Sequence, residues 1–175
     1  YGPKIDVQMK RVNGHEETAF TVQYDFVMPK RFDLKYIDKD GQEKQPIVIH
    51  RSSIGCFERT MAFLIERYAG AFPVWLSPVQ VLLAPVATKH QEGAQAFAKE
   101  LRDKGIRVEV DDADETVGNK VRKAAGQKIP YIVIVGDKEL SGEDWMIRVR
   151  GEKDQVKMSK EKFVERVLTE IKNRN

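Results

Sequence analysis

Two prolines frame a short aromatic segment, Phe72-Pro73-Val74-Trp75-Leu76-Ser77-Pro78, and the hydrophobic period of the chain changes across it. Before the segment, apolar and polar residues alternate around tight-turn signals. After it, continuous apolar runs alternate with helical stripes. The segment breaks a helix and is too apolar for a floppy linker, so it reads as a packed boundary between two domains, 1–76 and 77–175.

The first half predicts antiparallel β structure. Ile5 to Lys10 alternates, Asn13-Gly14 marks a tight turn, and Ala19 to Phe26 reads as the returning strand. Leu34 to Ile37, the turn residues Asp38-Lys39-Asp40-Gly41 and the run Pro46 to His50 suggest a second hairpin. A helix follows, with Phe57, Met61, Leu64, Ile65 and Tyr68 at helical spacing and Gly70 where a C-terminal cap belongs.

The second half predicts the order βαβαββα. Its strands are Val79–Ala84, Ile106–Val110, Pro130–Val135 and Trp145–Arg150. The helices carry Ala94, Phe97, Ala98 and Leu101, then Val117 to Ala125, then Phe163, Val167 and Ile171 behind a capping Ser159, while Gly136-Asp137 turns the chain. That order points to a small mixed sheet flanked by helices, so the fold class is α/β with an α+β first half.

The 175 residues are 41% hydrophobic and 33% charged, the balance of a soluble globular chain rather than a disordered one. A net charge of +3 makes no global demand for nucleic acid and leaves room for a local basic patch. No apolar run approaches the roughly 20 residues of a membrane helix, so no membrane partner is expected. The single cysteine, Cys56, excludes an internal disulfide and a CxxC zinc module, suits a reducing compartment, and reads as a small buried residue. The chain opens on Tyr1-Gly2-Pro3, in mid-motif, so it is expected to be a piece of a longer protein. The expected location is cytoplasmic, with an organelle left open because a targeting segment would lie outside this piece.

Chemistry-bearing residues concentrate in His50-Arg51-Ser52-Ser53-Ile54-Gly55-Cys56-Phe57-Glu58-Arg59, where a strand meets a helix. Gly55 there allows a ligand to approach closely, and Arg59 can reach an anion bound over the sheet. The plainer reading is a structural turn glycine, a solvated Glu58-Arg59 pair and a half-buried His50, since no HxxxH or CxxC partner supports a metal site by spacing. Phosphate-cradling glycine loops and nucleophile–base arrangements are missing. In the second half, Glu115, Asn119, Lys120, Arg122, Lys123 and Lys128 precede the central strand, and Glu139, Arg148 and Arg150 follow it. Such groups at strand ends suit unpaired RNA bases, whose edges offer donors and acceptors, and equally suit an ordinary solvated surface.

The stretches YGPKID, TVQYDF, VIHRSSIGCFERTMAFLIERYAGAFPVWLSPVQV and GDKE, in that order over essentially the whole chain, resemble the threonyl-tRNA synthetases, class II aminoacyl-tRNA synthetases. The resemblance implies that 1–76 is the C-terminal part of a class II catalytic domain, including motif 3 around Gly55 and Arg59. It implies that 77–175 is the anticodon-binding domain shared with the histidine, glycine and proline enzymes. The implied activity is ATP-dependent activation of threonine, with Mg2+, and its transfer to tRNA(Thr).

By the same resemblance His50 matches one of three ligands of a catalytic zinc, the other two lying outside this chain. Arg59 matches the motif 3 arginine that contacts the ATP γ-phosphate. Tyr1, Lys4, Thr21 and Gln23 match positions lining the threonine and ATP pocket, and Ser52 and Gly55 border it. Glu139 and Arg148 match anticodon readers, with Arg122 and Lys128 nearby. The family dimerises through its catalytic domain.

Two positions depart from the pattern. Glu17-Thr18-Ala19 stands where many members carry Trp-Gln-Cys, whose Gln contacts ATP, and Asp114 stands where some carry Asn. Because motifs 1 and 2, the remaining zinc ligands and the editing region fall outside it, the chain alone is expected to bind the anticodon without aminoacylating. The alternatives are a non-catalytic tRNA-binding or regulatory paralogue, which Glu17-Thr18 favours and His50 and Arg59 disfavour, and a small-molecule-binding module of flavodoxin type.

Overall fold

The computed structural model describes residues 2–175 and divides into two compact units, one ending at Ala69 and the other spanning Gly70–Asn175. The division falls a few residues before the expected 76/77 boundary because the aromatic segment belongs wholly to the second unit. There Val74 is buried in the core, Arg150 donates to Phe72 O at 2.6 Å, and Arg107 donates to Ser77 O and Trp75 O at 2.8 and 2.7 Å.

In the first unit β1 (Lys4–Lys10) and β2 (Glu16–Asp25) form a hairpin turned at Gly14, whose positive φ of 85° suits a residue without a Cβ. A short helix α1 (Val27–Arg31) follows, then β3 (Tyr36–Ile37) and β4 (Glu43–Lys44), which among the described residues pair only with each other. Strand β5 (Val48–Arg51) pairs antiparallel with β2, giving the sheet order β1-β2-β5. The second hairpin expected between 34–37 and 46–50 is therefore two separate pairings. The tight turn at Asp38–Gly41 closes on 36–37 and 43–44, which frees the next apolar run to join β2.

Helix α2 (Phe57–Tyr68) forms as expected and ends with Ala69 and Gly70 both left-handed. The apolar stripe at helical spacing is only partly covered: Leu64 and Tyr68 are half-buried and Phe63 beside them is buried, whereas Phe57, Met61 and Ile65 are exposed. Helical spacing locates an apolar face without saying what lies against it. Cys56, expected to be buried, is exposed, because it sits in extended backbone at the N-cap of α2 rather than within the sheet.

The second unit is a five-stranded mixed sheet. Its strands are β6 (Val81–Pro85), β7 (Val108–Val110), β8 (Tyr131–Val135), β9 (Trp145–Val149) and β10 (Val156–Met158), in the order β10-β9-β8-β6-β7. β6 runs parallel to β7 and β8, while β8–β9 and β9–β10 are antiparallel. Helices α3 (Gln91–Asp103), α4 (Val117–Gly126) and α6 (Lys160–Asn173) flank it, and a single turn α5 (Asp137–Leu140) follows β8.

Burial on both faces explains the continuous apolar runs of β6 and β8. One face, with Leu83, Val133, Val135, Trp145 and Ile147, packs on Ala94, Ala98 and Leu101 of α3 and on Phe163 and Val167 of α6. The other, with Leu82 and Ile132, packs on Val121 and Ala124 of α4. The expected order lacked β10 and α5. Both are too short to carry a period, and tertiary pairing rather than local pattern makes them.

Candidate functional site

The first unit gathers its candidate residues on one face of the three-stranded sheet. Residues paired across antiparallel strands point to the same side. Lys4, Gln23 and His50 stand in register across β1, β2 and β5, and Asp6 and Thr21 form the next row. Ser52 extends that second row, its N–H donating to Thr21 O at 2.9 Å. Six residues scattered from 4 to 52 therefore make one polar patch. Tyr1 lies outside the described residues.

His50 is half-exposed, and its Nε2 lies 2.8 Å from Asp25 Oδ2. Asp25 is fully buried, and its other oxygen accepts the N–H groups of Val27 and Met28 at 2.8 and 3.0 Å, which starts α1. The Met28 N–H, opposed by burial and helped by His50 and Val27, holds this carboxyl below its ordinary value. With Nε2–H donating to the carboxylate, Nδ1 of His50 carries the ring's lone pair, the arrangement typical of a metal-ligating histidine. Among the described residues no cluster of three His, Cys, Asp or Glu could hold a metal. The sequence reasoning overlooked Asp25; the signal was an acid at a strand end immediately before a helical turn.

Gly55 is required where it stands. Its φ is 65°, and a Cβ there would lie 2.3 Å from Ala19 O. Ser52 Oγ accepts the Gly55 N–H at 3.0 Å and fixes the turn. Arg59 projects back to β2, donating to Thr18 O at 2.8 Å and pairing with Glu17 at 3.3 Å. Glu17 also pairs with Arg11, which in turn pairs with Glu66. The departure at Glu17-Thr18 thus touches the very arginine expected to meet ATP.

In the second unit Arg148 lies opposite Ile132, on the sheet face where α4 packs, and is itself exposed. Arg122 on α4 donates to Asn119 Oδ1 at 2.7 Å, and Asn119 and Lys123 both hold Glu115. Of these, Glu115, Asn119 and Arg122 line an open cleft of about 600 Å3 together with Asp114, Thr116 and Gly118. Glu139 sits on α5, just beyond the C-terminal end of β8, nearly buried, with Oε2 accepting the Gly136 N–H at 3.0 Å.

Lys128 does not join Glu139. It precedes β8, in a left-handed backbone conformation, at the opposite end of a five-residue strand, about 17 Å long at 3.3 Å per residue. Arg150 is likewise structural: burial lowers its pKa, and it donates to Lys128 O and Phe72 O, both at 2.6 Å. Lys120, grouped with surface charges on composition, is buried and donates to Asp111 O at 2.8 Å and Pro85 O at 3.2 Å. Its place beside Val121 and Ala124 on the inner face of α4 was the available signal.

A family model described as the anticodon binding domain matches residues 80–170. The chain belongs to the anticodon binding domain family. Ahead of that anticodon binding domain, residues 1–68 match the tRNA synthetase class II core domain (G, H, P, S and T). A threonine–tRNA ligase of Clostridium botulinum is 50% identical over 171 residues, 98% of this chain and 27% of that protein. One from Streptococcus pneumoniae is 48% identical over 176 residues, 100% of this chain and again 27% of the relative. The RNA binding domain of threonyl-tRNA synthetase from Cryptosporidium parvum Iowa II superposes with a TM-score of 0.81 at 29% identity, covering 97% of this chain and 43% of that one. The chain therefore spans 27% of the length of the ligases it matches. These likenesses agree with the resemblance to threonyl-tRNA synthetases and with a mixed α/β fold.

Proposed function

We propose that the chain is the C-terminal part of a threonine–tRNA ligase, the end of its catalytic domain up to the aromatic segment followed by its anticodon reader. The observation that carries this is the gathering of Lys4, Thr21, Gln23, His50 and Ser52 on one sheet face of the first unit, in a chain whose second unit matches the anticodon binding domain. In this reading Tyr1, Lys4, Thr21, Gln23, Ser52 and Gly55 border the threonine and ATP pocket, and Arg59 faces the nucleotide's phosphates, which Mg2+ accompanies. His50 supplies one ligand of a zinc whose remaining ligands come from outside this chain. Such an ion offers a Lewis-acid site for the amino and hydroxyl groups of threonine. Asp25 keeps the His50 ring oriented for that role. A ligated hydroxyl separates threonine from valine far better than an apolar pocket would.

Glu139 and Arg148 read anticodon bases of tRNA(Thr), a carboxylate accepting from base amino or imino groups and a guanidinium pairing with acceptors or stacking. Arg122 supplies positive charge to the phosphates, whereas Lys128, at the far end of β8, takes no part in this reading. The full protein works as a dimer in the cytoplasm. The chain alone, holding one zinc ligand and one phosphate-facing arginine, binds the anticodon arm and does not aminoacylate.

The test is binding of the chain to a threonine-anticodon stem-loop and to one with an altered anticodon, near physiological salt, with Glu139→Ala and Arg148→Ala. Preference for the threonine anticodon should fall by about 1–3 kcal/mol per lost base contact. Equal binding of both stem-loops would remove the base-reading role. One observation favours the second reading, a non-catalytic paralogue: Glu17 already occupies Arg59. ATP-dependent threonine activation by the full protein decides between the two.

A further inference from the structure

One side-chain cluster at the carboxyl end of β6 and β8 has no part in the roles assigned above. His90, just ahead of α3, is only 3% exposed. Its Nδ1 accepts the Ala87 N–H at 3.2 Å, and its Nε2 lies 3.1 Å from Asp137 Oδ1. With Nδ1 accepting, a neutral ring carries its proton on Nε2 and donates it to the carboxylate. Lys89 Nζ reaches both oxygens of Asp137, at 2.8 and 2.9 Å. Asp137 is the first residue of α5, so the turn after β6 grips that helix by its leading end.

The far end of α5 is seated as well. Leu140 occupies the space beside Gly93 so closely that a Cβ there would lie 2.2 Å from Leu140 Cδ2. The tether matters because α5 has only four residues. One isolated turn closes too few hydrogen bonds to hold its own conformation. Glu139 rides on that turn with Oε2 committed to Gly136 N–H, so the direction of its free oxygen depends on where the turn sits. Hydrogen bonding to a base edge tolerates displacements of only about 0.5 Å.

We propose that His90, Lys89 and Asp137 are positioning residues for base recognition at Glu139, a clamp that presents its carboxylate at a fixed angle. This rests on the base-reading role proposed above. A simple electrostatic part predicts the opposite outcome. Asp137 is 76% exposed, and removing an exposed carboxylate from a surface that meets phosphates would tighten binding of every RNA alike. A positioning role instead lowers the preference for the right anticodon over a wrong one, a ratio in which general charge effects cancel.

The experiment measures that ratio for the full chain with the two stem-loops above. The variants are Asp137→Ala, His90→Phe (which keeps ring volume and loses both nitrogens) and Glu139→Ala, singly and with each clamp change added to Glu139→Ala. Asp137→Ala alters a surface residue and keeps the test open if His90→Phe does not fold. We expect the ratio to drop roughly three- to tenfold in each clamp variant, the worth of about one hydrogen bond, and to drop no further when Glu139 is already alanine. A ratio unchanged in Asp137→Ala, or losses that simply add to that of Glu139→Ala, would overturn the clamp while leaving base reading intact. A wild-type chain without any preference would overturn base reading and the clamp together.

Discussion

Gln80 is a demanding place to probe the second unit. It is fully buried, its Nε2 donates to Val74 O and its Oε1 accepts the Arg107 N–H, both at 2.8 Å. One side chain thereby satisfies a carbonyl in the aromatic entry segment and an amide just ahead of β7. Gln80→Leu keeps the volume and removes both bonds. Each backbone group loses about 1 kcal/mol of net hydrogen bonding and, left buried, costs about 1 kcal/mol or more in desolvation. The expected total is about 3–4 kcal/mol, offset by about 1 kcal/mol from the added apolar surface, leaving a loss of about 2–3 kcal/mol. Both tryptophans, Trp75 and Trp145, lie in this unit, so urea unfolding followed by fluorescence reports it alone. With a slope of about 1.5 kcal/mol/M, the midpoint should fall by about 1.3–2 M at unchanged slope. A fall under about 0.5 M would show that the two backbone groups find other partners and that Gln80 is not the staple its geometry suggests.

Gly55→Ala should cost about 2 kcal/mol or more in the first unit, from the left-handed backbone and the collision with Ala19 O, and should speed amide exchange in β2 and β5; unchanged protection would refute it. Asp25 has its pKa depressed in the fold, so its stabilisation is present above the ordinary carboxylate value of 3.8 and is lost as pH falls through the lower folded value. Asp25→Asn should therefore flatten the acid side of the stability curve below about pH 4, and identical acid profiles by circular dichroism would sink that assignment. If Arg122 touches phosphate, Arg122→Ala weakens the threonine and altered stem-loops equally and reduces the salt slope of binding by about one, whereas a selective loss would make it a base reader.

The amino-acid sequence by itself determined the division into two patterns, the helices α2, α3, α4 and α6, and the central strands β6 and β8. Each has either a sustained period or a bounded apolar run, and both are local properties of the chain. The motif around His50 and Arg59 was legible for a different reason: its residue types and order match a family. Only the tertiary structure decided the rest. Strand β5 pairs with β2 because the 36–44 turn closes on itself, and that pairing is what sets Lys4, Gln23 and His50 in one row. Burial turned Lys120 and Arg150 from apparent surface charges into structural donors, and it left Lys128 and Glu139 at opposite ends of β8. Neither Asp25 nor His90 has a sequence neighbour that announces its partner. Asp25 meets His50 across the sheet, and His90 meets Asp137 across two strand ends, at sequence separations of 25 and 47. Periodicity reports how a segment faces its surroundings; which distant segment supplies those surroundings is settled only when the chain closes on itself.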